Sequence, residues 1–469
     1  MAGSADGPRG TLIGRRRTDE KEAEVAMLAT ARGSGGGQPR ARRATDRASQ
    51  ESLREHNLAV VLAAIMAAEP DRPPSRADLA EHIGLTKGTV SALVNQLLAL
   101  GLVAERAPER PRGVGRPAVP LAPAAKTVVG LGLEVNVDYV GLRAVDLTGA
   151  VVAESVERSD LRGSDPESVL GALFRQARAA MAALEADGIR VVGSGLALPG
   201  LADHPQGPLR LAPNLGWVEA DIRAIAAAAA ADPDPRWPAP TPARTAALVT
   251  HLTVDNEANF AARAELLRRG GADDRRFFIY LSGAIGVGAA LVIDGEVFGG
   301  GHGWAGEIGH TIVDPAGPLC ACGARGCLEQ YAGKQAILRA AGLPLDAGLD
   351  DLLDALAADP DADTPGQAAI ATAARALGIA LASAVNLVDI AETVIGGDLT
   401  PLTGRLAPGI LAELRGRVVA ARWIRQDLVV RPAEADPRPA LTGAAWHALT
   451  RVVADPAALL NDRRPEQPA

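Results

Sequence analysis

The sequence predicts an α/β protein in which a winged helix-turn-helix module precedes two similar lobes and a metal-binding loop. Three observations predict this fold class. Three short amphipathic helices follow one another within residues 51–100, two later blocks repeat the order strand, hairpin, helix, and all three cysteines fall between residues 320 and 327. At 469 residues the chain is also longer than one hydrophobic core usually serves, so several domains are expected.

The composition excludes some classes of protein. The net charge of −8 does not indicate that the whole chain binds nucleic acid, although a small basic module can do so within an acidic protein. No apolar run approaches the roughly 20 residues of a membrane helix, and the start of the chain has no apolar signal region. We therefore expect a cytoplasmic protein with no membrane partner.

The two ends of the chain are predicted to be tails. Residues 1–50 are rich in Gly, Arg, Ser and Asp and have almost no periodic apolar positions, which is typical of disorder. This basic tail is either a solvated leader without function or a weak, non-specific contact with DNA. Residues 462–469 are expected to be a frayed tail.

Residues 51–122 are predicted to form a DNA-binding domain of three helices and a wing. Ser75 and Asp78 have the spacing of a capping box that opens the second helix, Gly84 provides a tight turn, and Thr86 caps the third helix. Helical spacing places apolar residues of the first helix on one face: Leu58, Val61, Leu62, Ile65 and Met66. The third helix repeats that spacing at Val90, Leu93, Val94, Leu97 and Leu98.

The polar side of the third helix is the candidate surface for reading DNA bases. Its candidate contact residues are Thr86, Lys87, Thr89, Ser91 and Asn95. A Pro- and Gly-rich wing follows, in which Arg112 and Arg116 are candidate groove or phosphate contacts. The alternative is a three-helix packing module with a solvated basic loop.

Two blocks of alternating residues predict the two lobes, 127–250 and 251–450. Residues 128–154 alternate around a turn at 147–149, and residues 277–298 alternate around the hairpin dipeptide Asp294-Gly295. Each block is followed by helical, Ala-rich sequence, which suggests an internal duplication with one cleft between the lobes. The Pro-rich segment 233–244 is expected to be a loop.

His310, Cys320, Cys322 and Cys327 predict a structural zinc site. The histidine and three cysteines supply one complete tetrahedral Cys3His set for Zn2+. The alternative is a disulfide with one spare thiol. The odd number of cysteines and the lack of a secretory segment favour a reducing compartment, and hence the metal.

Five motifs carry a family resemblance: Ala197-Leu198-Pro199-Gly200, Ala212 to Trp217, Val254 to Asn259, Gly306 to His310, and Cys320 to Glu329. In order and spacing they resemble the ROK family of sugar kinases and sugar-responsive repressors, over roughly residues 51–450. The resemblance implies two lobes of the actin-like, ribonuclease-H-like kind, with the zinc motif in the second lobe.

The resemblance also implies a sugar-binding site. By motif, the sugar-binding residues are Asn256, Glu257, Glu307, His310 and Glu329, with Asn214 and Gly200 expected to line the same pocket. Carboxylates and amides suit this role because they accept or donate the paired hydrogen bonds that sugar hydroxyls offer.

Three departures from the ROK kinases predict that no residue of this chain is catalytic. The stretch Glu134 to Asp138 has no glycine where the kinases have an Asp-x-Gly-Gly-Thr phosphate loop. Ser282 to Gly286 keeps only part of the second loop, Gly-Thr-Gly-Ile-Gly, and Glu257 replaces the kinases' catalytic Asp. Because one extra methylene displaces that carboxylate, we expect a sensor and not an enzyme.

The sequence therefore predicts a sugar-responsive transcriptional regulator, a repressor of carbohydrate metabolism genes. Its expected partners are operator DNA and a small sugar effector, and paired half-sites predict a homodimer or a dimer of dimers. Two alternatives remain open: an active ATP-dependent sugar kinase with an appended DNA-binding domain, and a DNA-binding protein that no longer senses a ligand.

Overall fold

The computed structural model describes residues 50–69, 71–107, 119–203, 207–269, 276–358, 364–424, 427–434 and 436–461. The predicted tails lie outside the described residues, apart from Gln50. Arg112 and Arg116 of the wing also lie outside them.

The helices are α1 Gln50–Met66, α2 Arg76–Ile83, α3 Lys87–Leu100, α4 Pro166–Ala186, α5 Ile222–Ala231, α6 Pro242–Thr245, α7 Glu257–Arg269, α8 Glu329–Ala332, α9 Lys334–Ala340, α10 Leu349–Ala358, α11 Pro365–Val388, α12 Thr403–Arg417, α13 Val419–Trp423, α14 Pro439–Ala454 and α15 Ala458–Asn461. A π-helical turn spans Ala246–Thr250, and 3-10 turns span Ile308–His310 and Thr400–Leu402.

The strands are β1 Val103–Glu105, β2 Leu121–Pro123, β3 Val128–Val135, β4 Tyr139–Asp146, β5 Val151–Arg158, β6 Arg190–Leu198, β7 Leu201–Ala202, β8 Leu209–Ala212, β9 Trp217–Ala220, β10 Leu252–Asn256, β11 Phe278–Gly283, β12 Val287–Ile293, β13 Glu296–Phe298, β14 Glu392–Gly397 and β15 Val429–Pro432.

The N-terminal module has the predicted helix-turn-helix. Ser75 and Asp78 exchange the two hydrogen bonds of a capping box, Gly84 ends α2 in the left-handed conformation, and the Thr86 hydroxyl accepts a bond from Thr89 N. The chain turns by 118° between α2 and α3, within the range of helix-turn-helix motifs. Strands β1 and β2 pair antiparallel, as a wing requires, although β2 begins only at Leu121.

The buried faces of the first and third helices follow the predicted stripes, with two exceptions. Met66, at the end of α1, is partly exposed. Leu98 of α3 is partly exposed, and Leu100 is buried instead. A helical repeat of 3.6 residues places position 100, three residues after Leu97, nearer the centre of the stripe than position 98.

The two large sheets have the same order of strands, which is the arrangement that an internal duplication predicts. One sheet has the order β10-β6-β3-β4-β5 and the other β15-β14-β11-β12-β13. In each, an antiparallel meander is followed by strands that return parallel. Asp294 and Gly295 both have positive φ in a two-residue loop between β12 and β13, as the dipeptide predicts.

The boundary between the lobes, predicted at residue 250, does not coincide with the division of strands between the two sheets. Strand β10 follows it in sequence but pairs with β6 of the first sheet. Helix α14, near the end of the predicted second lobe, packs on the same first sheet. The segment 233–244 is also not entirely a loop, because Thr241 caps α6 and Pro242 occupies its first turn, where a missing N–H costs nothing.

Helix α11 is a longer apolar segment than the sequence was expected to contain. Its most apolar 18 residues have a mean hydropathy of 1.7, so by length and composition it resembles a membrane span. Of that window, 61% is buried within the protein, and its apolar side forms much of the core beside the second sheet. Arg375 interrupts the run, which is why no apolar segment of this length was expected.

Glycines allow α14 to lie directly on the first sheet. A Cβ atom on Gly132 of β3 would collide with the carbonyl oxygen of Leu441, and one on Gly130 with that of Ala445. On the opposite side of the contact, a Cβ atom on Gly443 would collide with the carbonyl oxygen of Phe260 in α7. The three glycines have no Cβ atom, and this allows these backbones to approach each other so closely.

We expect Gly132→Ala to lower the free energy of unfolding by about 1 to 3 kcal/mol, because the added methyl must push backbone away from backbone. The matched control is Gly404→Ala in α12, where an added Cβ meets nothing within 4 Å. That change should be neutral or stabilise the protein by up to about 1 kcal/mol. Urea unfolding measures both, and equal effects of the two substitutions would contradict the packing described.

Candidate functional site

The four predicted metal ligands lie together. Their ligand atoms are all within 4.8 Å of one another, with 3.6 Å between the sulfurs of Cys322 and Cys327 and 3.9 Å between His310 Nδ1 and Cys320 Sγ. A tetrahedron with metal–sulfur bonds of about 2.3 Å has edges of about 3.8 Å. The residues present therefore fit a four-coordinate metal ion, and the three cysteines form no disulfide.

Short-range backbone contacts fold the cysteine loop. Cys320 N donates to Ala324 O at 2.8 Å, and Gly323 N donates to Cys320 O at 3.0 Å, which closes a tight turn between the first two cysteines and the third. Gly326 has a positive φ of 73° and lies against Asp314 O. Hydrogen bonds of its own backbone thus organise the loop.

Glu329 connects this loop to Gly286 at the end of the second hairpin. It begins α8 two residues after Cys327, and its Oε1 lies 3.7 Å from Cys320 Sγ. Its other oxygen lies against Gly286, at a point where an added Cβ would also be 3.6 Å from Asn214 Nδ2. Glu329, which follows the cysteine loop, and Asn214, from the segment joining β8 and β9, therefore meet beside Gly286.

Asn256 and Gly200 are joined directly. Asn256 Nδ2 donates to Gly200 O at 3.1 Å, while its Oδ1 accepts from Ala258 N at 2.8 Å and so caps α7. Gly200 has a φ of 140°, and a Cβ there would collide with Leu211 O. Asn256 therefore holds the backbone of the Pro199-Gly200 turn against the start of α7.

Glu307 and His310 form the other side of the site. His310 Nε2 lies 3.9 Å from Glu307 Oε2, on the opposite edge of the ring from the nitrogen that faces Cys320. The two side chains are 36% and 42% exposed, so both can reach a ligand. One edge of the imidazole thus faces the metal cluster and the other remains available.

Glu257 lies among other carboxylates. Burial raises the pKa of Glu257 to about 8, and four neighbouring carboxylates add to the rise: Glu134, Asp398, Glu307 and Asp138. Asn136 Nδ2 donates to Glu257 at 3.4 Å, across from the first hairpin. Burial also raises the pKa of Glu134, which accepts a bond of 2.6 Å from the Tyr139 hydroxyl. Glu134, Asp138 and Asp398 were not predicted to lie near Glu257 and Glu307, because these acids come from four separate parts of the chain.

At each of the two phosphate-loop positions, one or two backbone amides bond within the protein. In the first, Asn136 N donates to Tyr139 O at 2.9 Å and Val137 N donates to Asn136 Oδ1 at 2.7 Å. In the second, Ala284 N donates to Gly286 O at 2.9 Å. The side chain of Leu399 covers Gly283, so this glycine presents no open surface on that side.

The predicted DNA-reading residues lie on the outer side of α3. Thr86, Lys87, Thr89 and Asn95 are exposed and Ser91 is partly exposed. Thr86 already caps the helix, which limits it as a base contact. Arg76 was not among the predicted residues; it donates to Asn95 Oδ1 at 3.1 Å and pairs with Glu105 at 2.7 Å. A cation at the first position of α2, beside the polar side of α3, was the signal that could have identified it.

Comparisons with known proteins agree with these motifs. The family model described as ROK family matches residues 239–451, and one described as MarR family matches residues 59–113. The xylose repressor of Bacillus spizizenii (strain W23) is 30% identical over 294 residues, which cover 63% of this chain and 70% of that protein. The chain belongs to the ROK family.

Other proteins match over more of the chain. The xylose repressor of Caldicellulosiruptor bescii is 29% identical over 390 residues, covering 80% of this chain and 90% of that protein. The crystal structure of a ROK family transcriptional regulator, a homologue of the E. coli MLC protein, superposes with a TM-score of 0.66 at 26% identity and covers 87% of this chain and 98% of that one. The ROK hexokinase of Thermus thermophilus covers 69% of this chain and 99% of its own, with a TM-score of 0.52 at 27% identity.

A DNA-binding module distinguishes the regulators of the ROK family from its kinases, and this chain matches a MarR-type module. That match begins in α1 and includes the whole helix-turn-helix. The protein is therefore a ROK-family transcriptional regulator by its domain organisation.

We expect Glu257→Gln to remove a pH-dependent loss of stability. Because the folded-state pKa is about 8 and the ordinary value is 4.5, the folded protein binds the proton more tightly, and the wild type loses stability as the pH rises between these values. From about pH 5 to about pH 9, the variant should gain about 1 to 3 kcal/mol of unfolding free energy relative to wild type.

The exposed Glu296 of β13 provides the control, since Glu296→Gln should show the same pH dependence as wild type. Urea unfolding at the two pH values measures all three proteins. A Glu257→Gln profile parallel to that of wild type would contradict the raised pKa.

Proposed function

We propose that this ROK protein is a sugar-responsive repressor of carbohydrate metabolism genes, in which the helix-turn-helix binds operator DNA and the two lobes sense the sugar. One observation carries the proposal. The chain retains the polar residues of a ROK sugar site, whereas Asn136 N and Ala284 N at the two phosphate-loop positions bond within the protein and Leu399 covers Gly283. A site that holds a sugar without a phosphate donor is a sensor.

The proposed sugar contacts are those predicted by motif. Glu307, His310 and Glu329 belong to the second lobe and its metal loop, whereas Gly200 and Asn214 follow strands of the first. Asn256 and Glu257 lie at the junction between β10 and α7. A sugar bound among them contacts both lobes, so it favours the closed form by the difference in its affinity for the closed and open forms.

Absence of catalysis is part of the proposal. A kinase of this fold needs backbone amides free to approach phosphate, and a catalytic carboxylate within reach of the sugar hydroxyl. Here Leu399 covers Gly283, and a longer Glu257 stands where the ROK kinases have Asp. The similarity to the Thermus thermophilus hexokinase keeps an active kinase as the second candidate, and these features count against it.

The proposed metal is zinc. Three thiolates and one imidazole are a donor set that suits Zn2+, and a closed four-ligand site serves structure. When bound, zinc would fix the His310 ring through Nδ1, so that Nε2 stays oriented beside Glu307. The cysteine loop would then set the position of Glu329 as well.

The DNA contacts and assembly follow from the module. We assign base reading to Lys87, Thr89, Ser91 and Asn95, with Arg76 as an added phosphate or base contact, and wing contacts to Arg112 and Arg116. Modules of this kind read paired half-sites, so the proposed active form is a homodimer or a dimer of dimers. Operator binding places the protein in the cytoplasm.

Purified protein should contain about one zinc ion per chain. Cys322→Ser should lower the bound zinc by more than about half, because three ligands hold the ion less tightly than four. His302→Ala changes an exposed histidine outside the cluster and should retain the metal. Plasma emission spectroscopy on protein prepared without chelators measures all three, and wild type with little zinc would refute the metal assignment.

The proposed function is tested by measuring DNA binding and the response to sugar separately. A DNA sequence selected from a random library should bind wild type, and one of xylose, glucose or N-acetylglucosamine should release it, as followed by fluorescence anisotropy. Lys87→Ala should weaken DNA binding by roughly 1 to 3 kcal/mol and leave sugar binding intact. Glu307→Ala should bind the same DNA as wild type and fail to respond to the sugar.

Arg415→Ala, an exposed arginine of α12, is the control for loss of positive charge and should behave as wild type. Tighter DNA binding with sugar would reverse the proposed sign of regulation. Hexose phosphorylation by wild type in the presence of ATP would establish the kinase alternative.

A further inference from the structure

We infer that Arg76 is a positioning residue that orients the side chain of Asn95, so that helix α3 selects guanine at one position of the operator. The inference rests on the proposed function and specifies how the helix-turn-helix reads one base. It follows from the two hydrogen bonds of the Arg76 guanidinium and from the pattern of donors and acceptors on the bases.

The Arg76 guanidinium joins three elements of the N-terminal module. Arg76 is the first residue of α2, Asn95 lies in the third turn of α3, and Glu105 ends β1. Arg76 Nη2 donates to Asn95 Oδ1 at 3.1 Å, and Nη1 donates to Glu105 Oε1 at 2.7 Å. The Arg76 side chain is only 26% exposed, so most of its surface is covered by the protein.

The bond to Arg76 determines which end of the Asn95 amide remains available. A guanidinium carries hydrogen-bond donors and no acceptor, so only the amide oxygen can face it. The nitrogen, Nδ2, lies at the opposite end of the amide and has two N–H groups to donate. Asn95 is exposed and lies one turn after Ser91 on the polar side of α3. It therefore offers donors to DNA while its oxygen is turned toward Arg76.

This orientation changes the base that asparagine prefers. An unconstrained asparagine pairs with adenine, because its oxygen accepts from N6 and its nitrogen donates to N7. That pairing needs both ends of the amide on the base edge, and Arg76 holds the oxygen of Asn95 away from it. Guanine presents two neighbouring acceptors, N7 and O6, in the major groove. The two N–H groups of Asn95 match guanine, whereas they would meet the N6 amino group of adenine.

Glu105 holds the guanidinium in this position. An arginine near DNA is otherwise attracted to phosphate or to guanine, with which it forms paired hydrogen bonds. The ion pair between Arg76 and Glu105 opposes that movement. A carboxylate beside DNA repels the phosphates, so Glu105 lowers the affinity for every sequence. Its role in anchoring Arg76 gives a physical reason for an acidic residue at this place.

The test determines base preferences with the full-length protein. Wild type and variants select sequences from a random DNA library, and the base read by Asn95 is located as the preference that disappears in Asn95→Ala. We expect guanine at that position in wild type. Arg76→Ala should lower the ratio of guanine to adenine there at least about fivefold, because the released amide can pair with adenine. The preferences at other positions should stay as in wild type.

Glu105→Ala removes the anchor and keeps the positive charge. It should tighten binding to all sequences, because a repulsive charge is lost, and still lower the same ratio at least about twofold. The matched control is Arg72→Ala, which removes the charge of an exposed arginine four residues before Arg76. This control should keep the wild-type ratio.

The outcomes separate this inference from the function on which it rests. A ratio that stays unchanged in either Arg76→Ala or Glu105→Ala would overturn the inference, and equal weakening of all sequences by Arg76→Ala would make that residue a phosphate contact. Adenine at the Asn95 position in wild type, or no position that depends on Asn95, would overturn it as well. Each of these results leaves operator binding in place. If wild type enriches no sequence, the DNA-binding function fails and the inference fails with it.

Discussion

Helix α7 packs against both large sheets, and the relative positions of the candidate site residues depend on this shared packing. Ala258 and Ala261 pack with Phe278 and Tyr280 of the second sheet. On another side of the same helix, Phe260 packs with Ala197 of β6 and with alanines of α14. Because one helix packs in both cores, its first residue, Glu257, lies at the junction of the two lobes.

Small residues make this sharing possible. Helices α7 and α14 approach until Gly443 meets Phe260 O, and α14 in turn rests on the glycines of β3. Alanine and glycine lose little side-chain entropy when they are buried, so close backbone contact replaces interdigitated large side chains.

Features that depend on neighbouring residues were predictable from sequence. The capping box at Ser75 and Asp78, the Asp294-Gly295 turn and the grouping of His310 with the cysteines each require only a few residues in register. The chemistry of those residues is enough to specify the local backbone.

Features that depend on distant pairs were not predictable. The contact of Leu399 with Gly283, and the convergence of Asp398, Glu134 and Glu257, follow from which strands adjoin in a sheet, and no local pattern encodes this. The correction to the lobe boundary has the same origin. Strand β10 pairs with the first sheet and helix α14 packs on it, although both follow residue 250 in the sequence. Hydrogen-bond partners and buried faces determine which core an element joins, and its place in the sequence does not.

The return of α14 to the first sheet has a consequence for biosynthesis. Strand β10 ends at Asn256 and α14 begins at Pro439, so most of the second lobe emerges from the ribosome before the helix that covers Gly130 and Gly132. At about 5 to 20 residues per second, this interval is roughly 10 to 40 s. During that time the nascent first sheet exposes an apolar, glycine-lined face, which is the kind of surface that chaperones bind.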